Sequence, residues 1–189
     1  EEKILKGIDF LKRSHGRFNL GEIFPIVKNM EERLGRIPGV GRVTTAGSFR
    51  RMQETIGDID ILVTAKNPEK IIDAFLKFPE VGHVYGRGPT KVNVRLKIGI
   101  DADIRVLHEN EYGSALQYFT GDRSHNIQLR TLAIKKGYKL SEYGLFKGKK
   151  LVAGKTEEDI YKKLGMDTPP SEIRTASGEI EAARSHKLQ

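Results

Sequence analysis

GSFRRMQETIGDIDILV, residues 47–63, carries the most informative pattern in the sequence. From Gly57 onward, apolar residues alternate with Asp58 and Asp60. This alternation predicts a β-strand with both carboxylates on one face, because successive side chains of a strand point to opposite faces. Carboxylate oxygens suit Mg²⁺, and a pair of them leaves coordination positions for water and a substrate phosphate. The strand therefore predicts a magnesium site.

The first half of the same stretch predicts an anion site next to it. Ser48 offers a hydroxyl, Arg51 offers a charged fork, and backbone N–H groups are exposed around Gly47. Each feature alone also fits an ordinary structure, since Asp-x-Asp occurs on solvated strand faces and Gly-Ser occurs in turns. Their combination favours a triphosphate site beside a metal site.

A third carboxylate lies further along the chain. Residues 91–97 and 100–107 are predicted to form two strands, and the second places Asp101, Asp103 and Arg105 on one face. This strand can pair beside the one that carries Asp60. Asp103 is therefore the candidate third metal ligand.

The remaining patterns predict an α+β fold in which a mixed sheet has helices on one face, followed by a smaller α+β unit. Asn126 and Arg130 lie one turn apart on a predicted helix and can face one ligand. Residues 82–90 are predicted to be a Gly-rich loop, and the chain is predicted to end in turns and a linker-like tail. Helices are predicted over residues 1–13, 20–34, 69–78, 112–118, 124–136 and 156–164, and further strands over residues 43–46, 138–146 and 151–152.

Composition narrows the class of partner. The 189 residues include 33 Lys and Arg against 25 Asp and Glu, and this net charge of +8 favours a polyanionic partner. The absence of cysteine excludes disulfides and thiolate metal sites and fits a reducing compartment. No apolar run approaches membrane-spanning length. We expect a cytoplasmic, monomeric protein with no membrane partner.

Five segments in order resemble family X DNA polymerases of the bacterial and archaeal branch, and DNA polymerase beta more distantly. The segments are GSFRRMQETIGDIDILV, ADIR at 102–105, YFTG at 118–121, HNIQLR at 125–130 and SEYGLF at 141–146. The resemblance implies a nucleotidyltransferase palm with an N-terminal helix over residues 1–109 and a thumb over residues 110–189. It also implies template-directed addition of dNTPs to a primer 3′-hydroxyl, on primer–template or gapped DNA, for short-gap filling in DNA repair such as base excision repair.

The same resemblance implies roles for individual residues. Two Mg²⁺ ions, or Mn²⁺ as a substitute, would be held by Asp58, Asp60 and Asp103. The incoming triphosphate would be bound by Arg17, Gly47, Ser48, Arg51 and Gly57. Its sugar and base would be bound by Tyr118, Phe119, Gly121 and Asn126. DNA would be bound by Arg105, Arg130 and Tyr143, and an Arg105–Glu142 pair would rearrange when the thumb closes.

The chain also departs from the family pattern. Asp101 stands where a non-acidic residue is usual, so we expect extra negative charge near the primer terminus, able to bind a further cation or weaken primer binding. Arg123 occupies the position of an aspartate. Longer relatives carry a helical DNA-binding domain and a phosphoesterase domain, and we expect this chain to be without them. We therefore expect an excised catalytic core that binds DNA weakly and with strong salt dependence.

Two other functions stay open at this level. A small nucleotidyltransferase that modifies an antibiotic, a protein or an RNA end would share the Gly-Ser and Asp-x-Asp core. It should lack the YFTG segment and the helix with Asn126 and Arg130. Alternatively, the chain is a catalytically weak DNA-binding module without its accessory domains.

Overall fold

A computed structural model describes residues 16–188, and the helix predicted over residues 1–13 lies outside them. The strands in the described range are Phe18–Asn19 (β1), Val40–Thr45 (β2), Thr55–Ile56 (β3), Asp58–Ala65 (β4), Val81–Arg87 (β5), Lys91–Leu96 (β6), Asp101–Leu107 (β7), Lys139–Ser141 (β8), Gly144–Lys147 (β9) and Lys150–Ala153 (β10). The α-helices are Leu20–Gly35 (α1), Gly47–Arg50 (α2), Pro68–Phe75 (α3), Tyr112–Thr120 (α4), Arg123–Lys135 (α5), Glu157–Lys163 (α6) and Glu179–Arg184 (α7), with a 3-10 turn at Ser171–Ile173.

The main sheet has five strands in the order β2-β4-β7-β6-β5. Strands β4 and β7 are parallel and the other neighbouring pairs are antiparallel, which confirms the predicted mixed sheet. One face packs against α1 and α3 in a single apolar core, to which β4 contributes Ile59, Ile61 and Val63. The alternation read from the sequence thus directs the apolar side chains inward and leaves the carboxylates on the opposite face.

That opposite face is partly covered. Leu62, which shares the face of the carboxylates, is only 1% exposed because α4 packs over it through Tyr112, Ala115 and Leu116. The sequence pattern predicted helices on one face only. Helix α4 covers this face around Leu62 and leaves it open around Asp58 and Asp60.

A second core lies beyond α4. A three-stranded antiparallel sheet, β10-β9-β8, packs with α5, α6 and α7. Its buried members are Leu129, Ala133, Leu140, Leu145, Ile160, Tyr161, Leu164, Met166, Ile180 and Ala183. The chain therefore places an α+β unit with its own core next to the main sheet, as the sequence predicted.

Two predictions of local structure are wrong. The expected loop at residues 82–90 is largely strand β5, an edge strand that pairs with β6 through two register shifts. Almost all of its residues are exposed, so they carry no apolar alternation for the sequence to show. The expected tail contains α7, whose Ile180 and Ala183 are buried in the second core. No helix within residues 16–188 is long and apolar enough to cross a membrane.

Candidate active site

A cleft of about 590 Å³ lies where the N-terminal end of β4, which carries Asp58 and Asp60, faces α4 and α5. Its lining contains most of the site residues predicted from the sequence, together with two that were not predicted as site residues, Asp122 and Arg123. The full lining is Arg17, Gly47, Ser48, Arg51, Asp58, Asp60, Tyr118, Phe119, Gly121, Asp122, Arg123, Asn126 and Arg130. Residues separated by more than a hundred positions therefore meet in one place.

The parallel pairing of β4 and β7 brings the carboxylates together. Asp58 is in register with Asp101, and Asp60 is in register with Asp103. Burial raises the pKa of Asp60 to about 7, reinforced by the charges of Asp58 and Asp103 and opposed by Arg105. A carboxyl that ionises this reluctantly marks a point where a cation would relieve like-charge repulsion.

The carboxylates of Asp58, Asp60 and Asp103 fit a hard divalent cation, because they offer only oxygen ligands. Within residues 16–188, no three His, Asp or Glu side chains already form a compact metal-binding group. Asp58, Asp60 and Asp103 therefore project from the same face of the main sheet, and their charges interact. They are not gathered around a single point. The residues present are suited to Mg²⁺ or Mn²⁺ together with a ligand that completes the coordination.

Arg51 provides the anion-binding side of the cleft. One of its Nη atoms donates to the carbonyl of Thr120, while its Nε is buried and has no hydrogen-bond partner in the described part of the chain. Burial lowers the pKa of Arg51, opposed by the charges of Asp122 and Asp58. A buried donor without a partner is costly, so an anion bound here would be stabilised.

Three predicted glycines let charged side chains approach. A Cβ at Gly57 would stand 3.1 Å from Arg17 Nη1, and one at Gly121 would stand 3.2 Å from Arg51 Nη1. A Cβ at Gly47 would stand 3.1 Å from Asp60 Oδ2. Gly47 and Gly121 also have positive φ angles, 59° and 69°. Because these glycines have no Cβ, the charged groups of Arg17, Arg51 and Asp60 can lie this close to the backbone.

Arg17 reaches the cleft from the position just before β1. Its Nε donates to Thr55 Oγ1 at 2.7 Å and its Nη2 donates to the Thr55 carbonyl at 2.6 Å. Strands β1 and β3 pair antiparallel, which fixes the chain on both sides of these contacts. Nη1, next to Gly57, remains directed at the cleft.

The opposite wall carries the aromatic and amide groups. The Tyr118 and Phe119 rings meet edge to face with centroids 5.1 Å apart. The Asn126 amide donates to the Tyr118 carbonyl at 2.7 Å and accepts from Gln117 Nε2 at 2.7 Å. Arg130 donates from Nε to the Asn126 carbonyl at 3.3 Å. Hydrogen bonds between α4 and α5 therefore hold Asn126 in a defined orientation.

Four predicted site residues do not line the cleft: Gly57, Asp103, Arg105 and Tyr143. Arg105 lies over the Phe119 ring with its guanidinium carbon 4.5 Å from the centroid, and its Nε is buried with no hydrogen-bond partner among residues 16–188. The rearrangement of an Arg105–Glu142 pair on thumb closure stays a prediction. Tyr143 is 57% exposed at the β8–β9 turn. A DNA-binding role for Arg105 and Tyr143 stays a prediction.

The extra negative charge expected of Asp101 is compensated by its neighbours. Arg95, opposite it on β6, forms an ion pair from Nη1 to Asp101 Oδ1 at 2.9 Å. The Tyr85 hydroxyl donates to the same oxygen at 3.0 Å. Pairing the two predicted strands could have revealed Arg95, whereas Tyr85 lies on the strand that the sequence did not predict. Arg95 and Tyr85 therefore occupy one oxygen of Asp101, Oδ1, and offset its charge, while its side chain stays 45% exposed.

Asp122 is the residue that sequence reasoning could have added. Its Oδ1 accepts from the His125 N–H at 2.8 Å, so it is the N-cap of α5. An aspartate just before a helix is a recognisable start signal. Its position in the cleft, by contrast, depends on how α4 and α5 pack.

Comparisons with known proteins point to one family. Residues 20–78 match the profile of the DNA polymerase beta palm, and residues 115–175 match that of the DNA polymerase beta thumb. The DNA polymerase/3′-5′ exonuclease PolX of Bacillus subtilis is 31% identical over 185 residues, which cover 96% of this chain and 32% of the relative. The Repair DNA polymerase X of African swine fever virus (strain Badajoz 1971 Vero-adapted) is 30% identical over 149 residues, covering 66% of this chain and 76% of the relative. The chain thus spans about a third of the Bacillus protein and about three quarters of the viral one.

Solved structures agree on the fold. Leishmania infantum polymerase beta in a ternary P/T complex superposes with a TM-score of 0.76 at 22% identity, over 89% of this chain and 80% of that chain. The same protein in a ternary gap complex gives 0.77 at 20% identity, over 89% and 74%. At this identity the likeness establishes the arrangement of the elements.

Proposed function

The chain belongs to the family X DNA polymerases, and from this we propose that it is a template-directed DNA polymerase core that adds dNTPs to a primer 3′-hydroxyl. The name of the viral relative supports DNA repair as the setting, and within it we propose short-gap filling. We further propose gapped or primer–template DNA as the substrate. We also propose action as a monomer, because one chain carries both walls of the cleft, and a cytoplasmic location, because the absence of cysteine fits a reducing compartment.

One observation carries the proposal. A single cleft joins the carboxylates around Asp60, where like charges accumulate, to the half-buried side chain of Arg51, whose buried Nε has no hydrogen-bond partner among residues 16–188. A cation site beside an anion site is the arrangement that a metal–triphosphate complex requires. Neither half alone would distinguish a polymerase from a simple binding protein.

Asp58, Asp60 and Asp103 would hold two Mg²⁺ ions, with Mn²⁺ as a substitute. Bound there, the ions would supply Lewis acidity for the primer hydroxyl and neutralise charge on the leaving pyrophosphate. The protein's own contribution is to position charge on a rigid sheet, which is most of what phosphoryl transfer requires. No covalent nucleophile is needed.

The other cleft residues would bind and orient the nucleotide. Arg17, Ser48 and Arg51 would bind the β- and γ-phosphates, with Gly47 and Gly57 providing space and backbone donors. Tyr118 and Phe119 would lie along the sugar. Asn126 would contact the base edge with the part of its amide that α4 does not already use.

DNA would approach along the same wall. Arg130, whose guanidinium is anchored to the carbonyl of Asn126, would follow the template strand. A small nucleotidyltransferase with a non-DNA acceptor would need only the first wall, formed by β4 and α2. The second wall, with Tyr118, Asn126 and Arg130, favours a polymerase.

The test is incorporation opposite each of the four template bases in one-nucleotide-gapped DNA, with Mg²⁺ and each dNTP offered separately. We expect the complementary dNTP to be added in every case, and much slower addition to the same primer without a template. Addition that ignores the template would instead favour a nucleotidyltransferase with another acceptor.

A further inference from the structure

Helix α5 is anchored from behind by a buried chain of polar side chains. His125 is completely buried, with Nδ1 2.7 Å from Glu179 Oε1 and Nε2 2.9 Å from the Tyr161 hydroxyl. Its neighbour Asn126 faces the cleft. The first turn of α5 therefore lies between the nucleotide side and this buried chain.

The hydrogen-bond directions follow from Glu179. Its carboxylate also accepts from the N–H groups of Ala176 and Ser177, both at 2.9 Å. Burial would raise its pKa, but the hydrogen bond from His125 and the backbone donors keep that pKa below the usual value. An ionised Glu179 makes His125 Nδ1 the donor, and Nε2 then accepts from the Tyr161 hydroxyl. Burial lowers the pKa of His125, which agrees with a neutral ring.

Glu179 belongs to the C-terminal segment that the sequence presented as a linker. The same segment reaches α5 at a second point, because the Asp122 N–H donates to the Arg174 carbonyl at 3.2 Å. Asp122 is the N-cap of α5, and its carbonyl accepts from the Asn126 N–H at 2.9 Å. Residues 174–179 thus hold both the cap and the first turn of the helix that carries Asn126.

We propose that Glu179, acting through His125, is a positioning residue for the nucleotide: the C-terminal segment fixes the first turn of α5 and thereby orients Asn126 in the cleft. This inference rests on the proposed function of Asn126 as a nucleotide-binding residue. Loss of the anchor frees the turn and weakens dNTP binding, while the carboxylates that carry the chemistry stay in place.

The test compares Glu179→Gln with Glu181→Gln on the full chain. Glu181 lies on the same helix but is 71% exposed and pairs with Arg184, so it is a matched control. In E179Q the side-chain amide turns a donor toward groups that themselves donate. On one-nucleotide-gapped DNA we expect the KM for dNTP to rise about tenfold, with kcat and DNA affinity little changed, and no effect of E181Q.

Two further measurements separate positioning from general loss of structure. In a His125→Phe background, E179Q should add no further increase in KM, since the residue through which it acts is gone. Amide hydrogen exchange at Asn126 should become faster in E179Q and stay unchanged in E181Q. An unchanged KM in E179Q, an equal KM increase in both backgrounds, or unchanged exchange would overturn the inference. Absence of incorporation by the wild type would reject the proposed function, and the exchange measurement would still decide whether Glu179 holds the turn.

Discussion

Asp60 and Asp103 are register partners on two parallel strands, so their side chains project side by side from one face of the main sheet, and Asp60 lines the cleft. Burial and the neighbouring charges raise the pKa of Asp60 to about 7, from an ordinary value of 3.8. The folded state therefore holds this proton more tightly than the unfolded state does. Its stabilising effect is fully present below about pH 4 and is lost as the pH rises to about 7.

Asp60→Asn should remove this dependence. Relative to the wild type without metal, the variant should gain at least about 1 kcal/mol of unfolding free energy between pH 5 and pH 8. Urea unfolding at the two pH values measures it. Mg²⁺ should stabilise the wild type more at pH 8 than at pH 5, because the proton competes with the cation. A difference between the two proteins that does not change with pH would contradict this account of Asp60.

Arg51 should not be replaceable by lysine. Arg51→Lys keeps the positive charge but loses the planar fork that can contact Thr120 and a phosphate together. We expect the KM for dNTP to rise about tenfold, a loss that charge alone cannot restore. Arg36→Lys, at a side chain 73% exposed just after the last residue of α1, provides the control in the same steady-state assay. Equal KM values for the two variants would remove Arg51 from the triphosphate site.

Glu157 joins two arginines between the main sheet and the second core. Its carboxylate pairs with Arg50 at 2.6 Å and with Arg174 at 2.5 Å, and it is only 4% exposed. Burial would raise its pKa, but the hydrogen bonds from Arg50 and Arg174 hold that pKa below the usual value. This contribution to stability is present above about pH 4.5 and is lost as the pH falls through the lowered pKa.

Glu157→Gln should therefore destabilise the protein by about 3–5 kcal/mol at pH 7, because it leaves buried guanidinium charge without compensation. Urea unfolding measures the effect, and the exposed neighbour Glu158 provides the matched control as Glu158→Gln. The gap between the two variants should narrow in acid. Equal stability of both at pH 7 would show that the arginines find other partners.

Gly113 should not tolerate a methyl group. A Cβ there would lie 2.2–2.5 Å from backbone atoms of Thr156, the N-cap of α6, so one of the two segments would have to move. Gly113→Ala should cost about 3 kcal/mol or more in thermal or urea unfolding. Gly35→Ala, with nothing within 4 Å, should stabilise by at most about 1 kcal/mol. Similar stabilities for the two variants would mean that α4 and α6 are not held this closely.

Local patterns predicted the parts of the fold that depend on nearest neighbours. The alternation around Asp58 and Asp60, and again around Asp103, was enough for the strands, their polar face and the mixed sheet. Strand β5 was missed because an exposed edge strand needs no apolar face. Helix α7 was missed because its anchor, the contact between Glu179 and His125, joins residues 54 positions apart.

The candidate site shows the same limit. Its residue types were predictable, and so was the pairing that brings Asp103 beside Asp60. The compensation of Asp101 was not predicted, because it needs Arg95 across one strand pair and Tyr85 on the unrecognised edge strand. Long-range packing, rather than local propensity, determined each miss.

Single-turnover extension of one-nucleotide-gapped DNA by Asp103→Asn, beside Asp101→Asn, is the measurement that decides whether the carboxylate cluster is catalytic. The two aspartates lie two residues apart on the same strand face, but only Asp103 is free of the ion pair that Arg95 forms with Asp101. We predict that D103N loses activity about a hundredfold or more while D101N stays close to the wild type, each assayed under conditions in which urea unfolding shows it to be folded. Comparable activity in D103N and D101N would contradict the assignment of Asp103, and with it the carboxylate cluster, to catalysis.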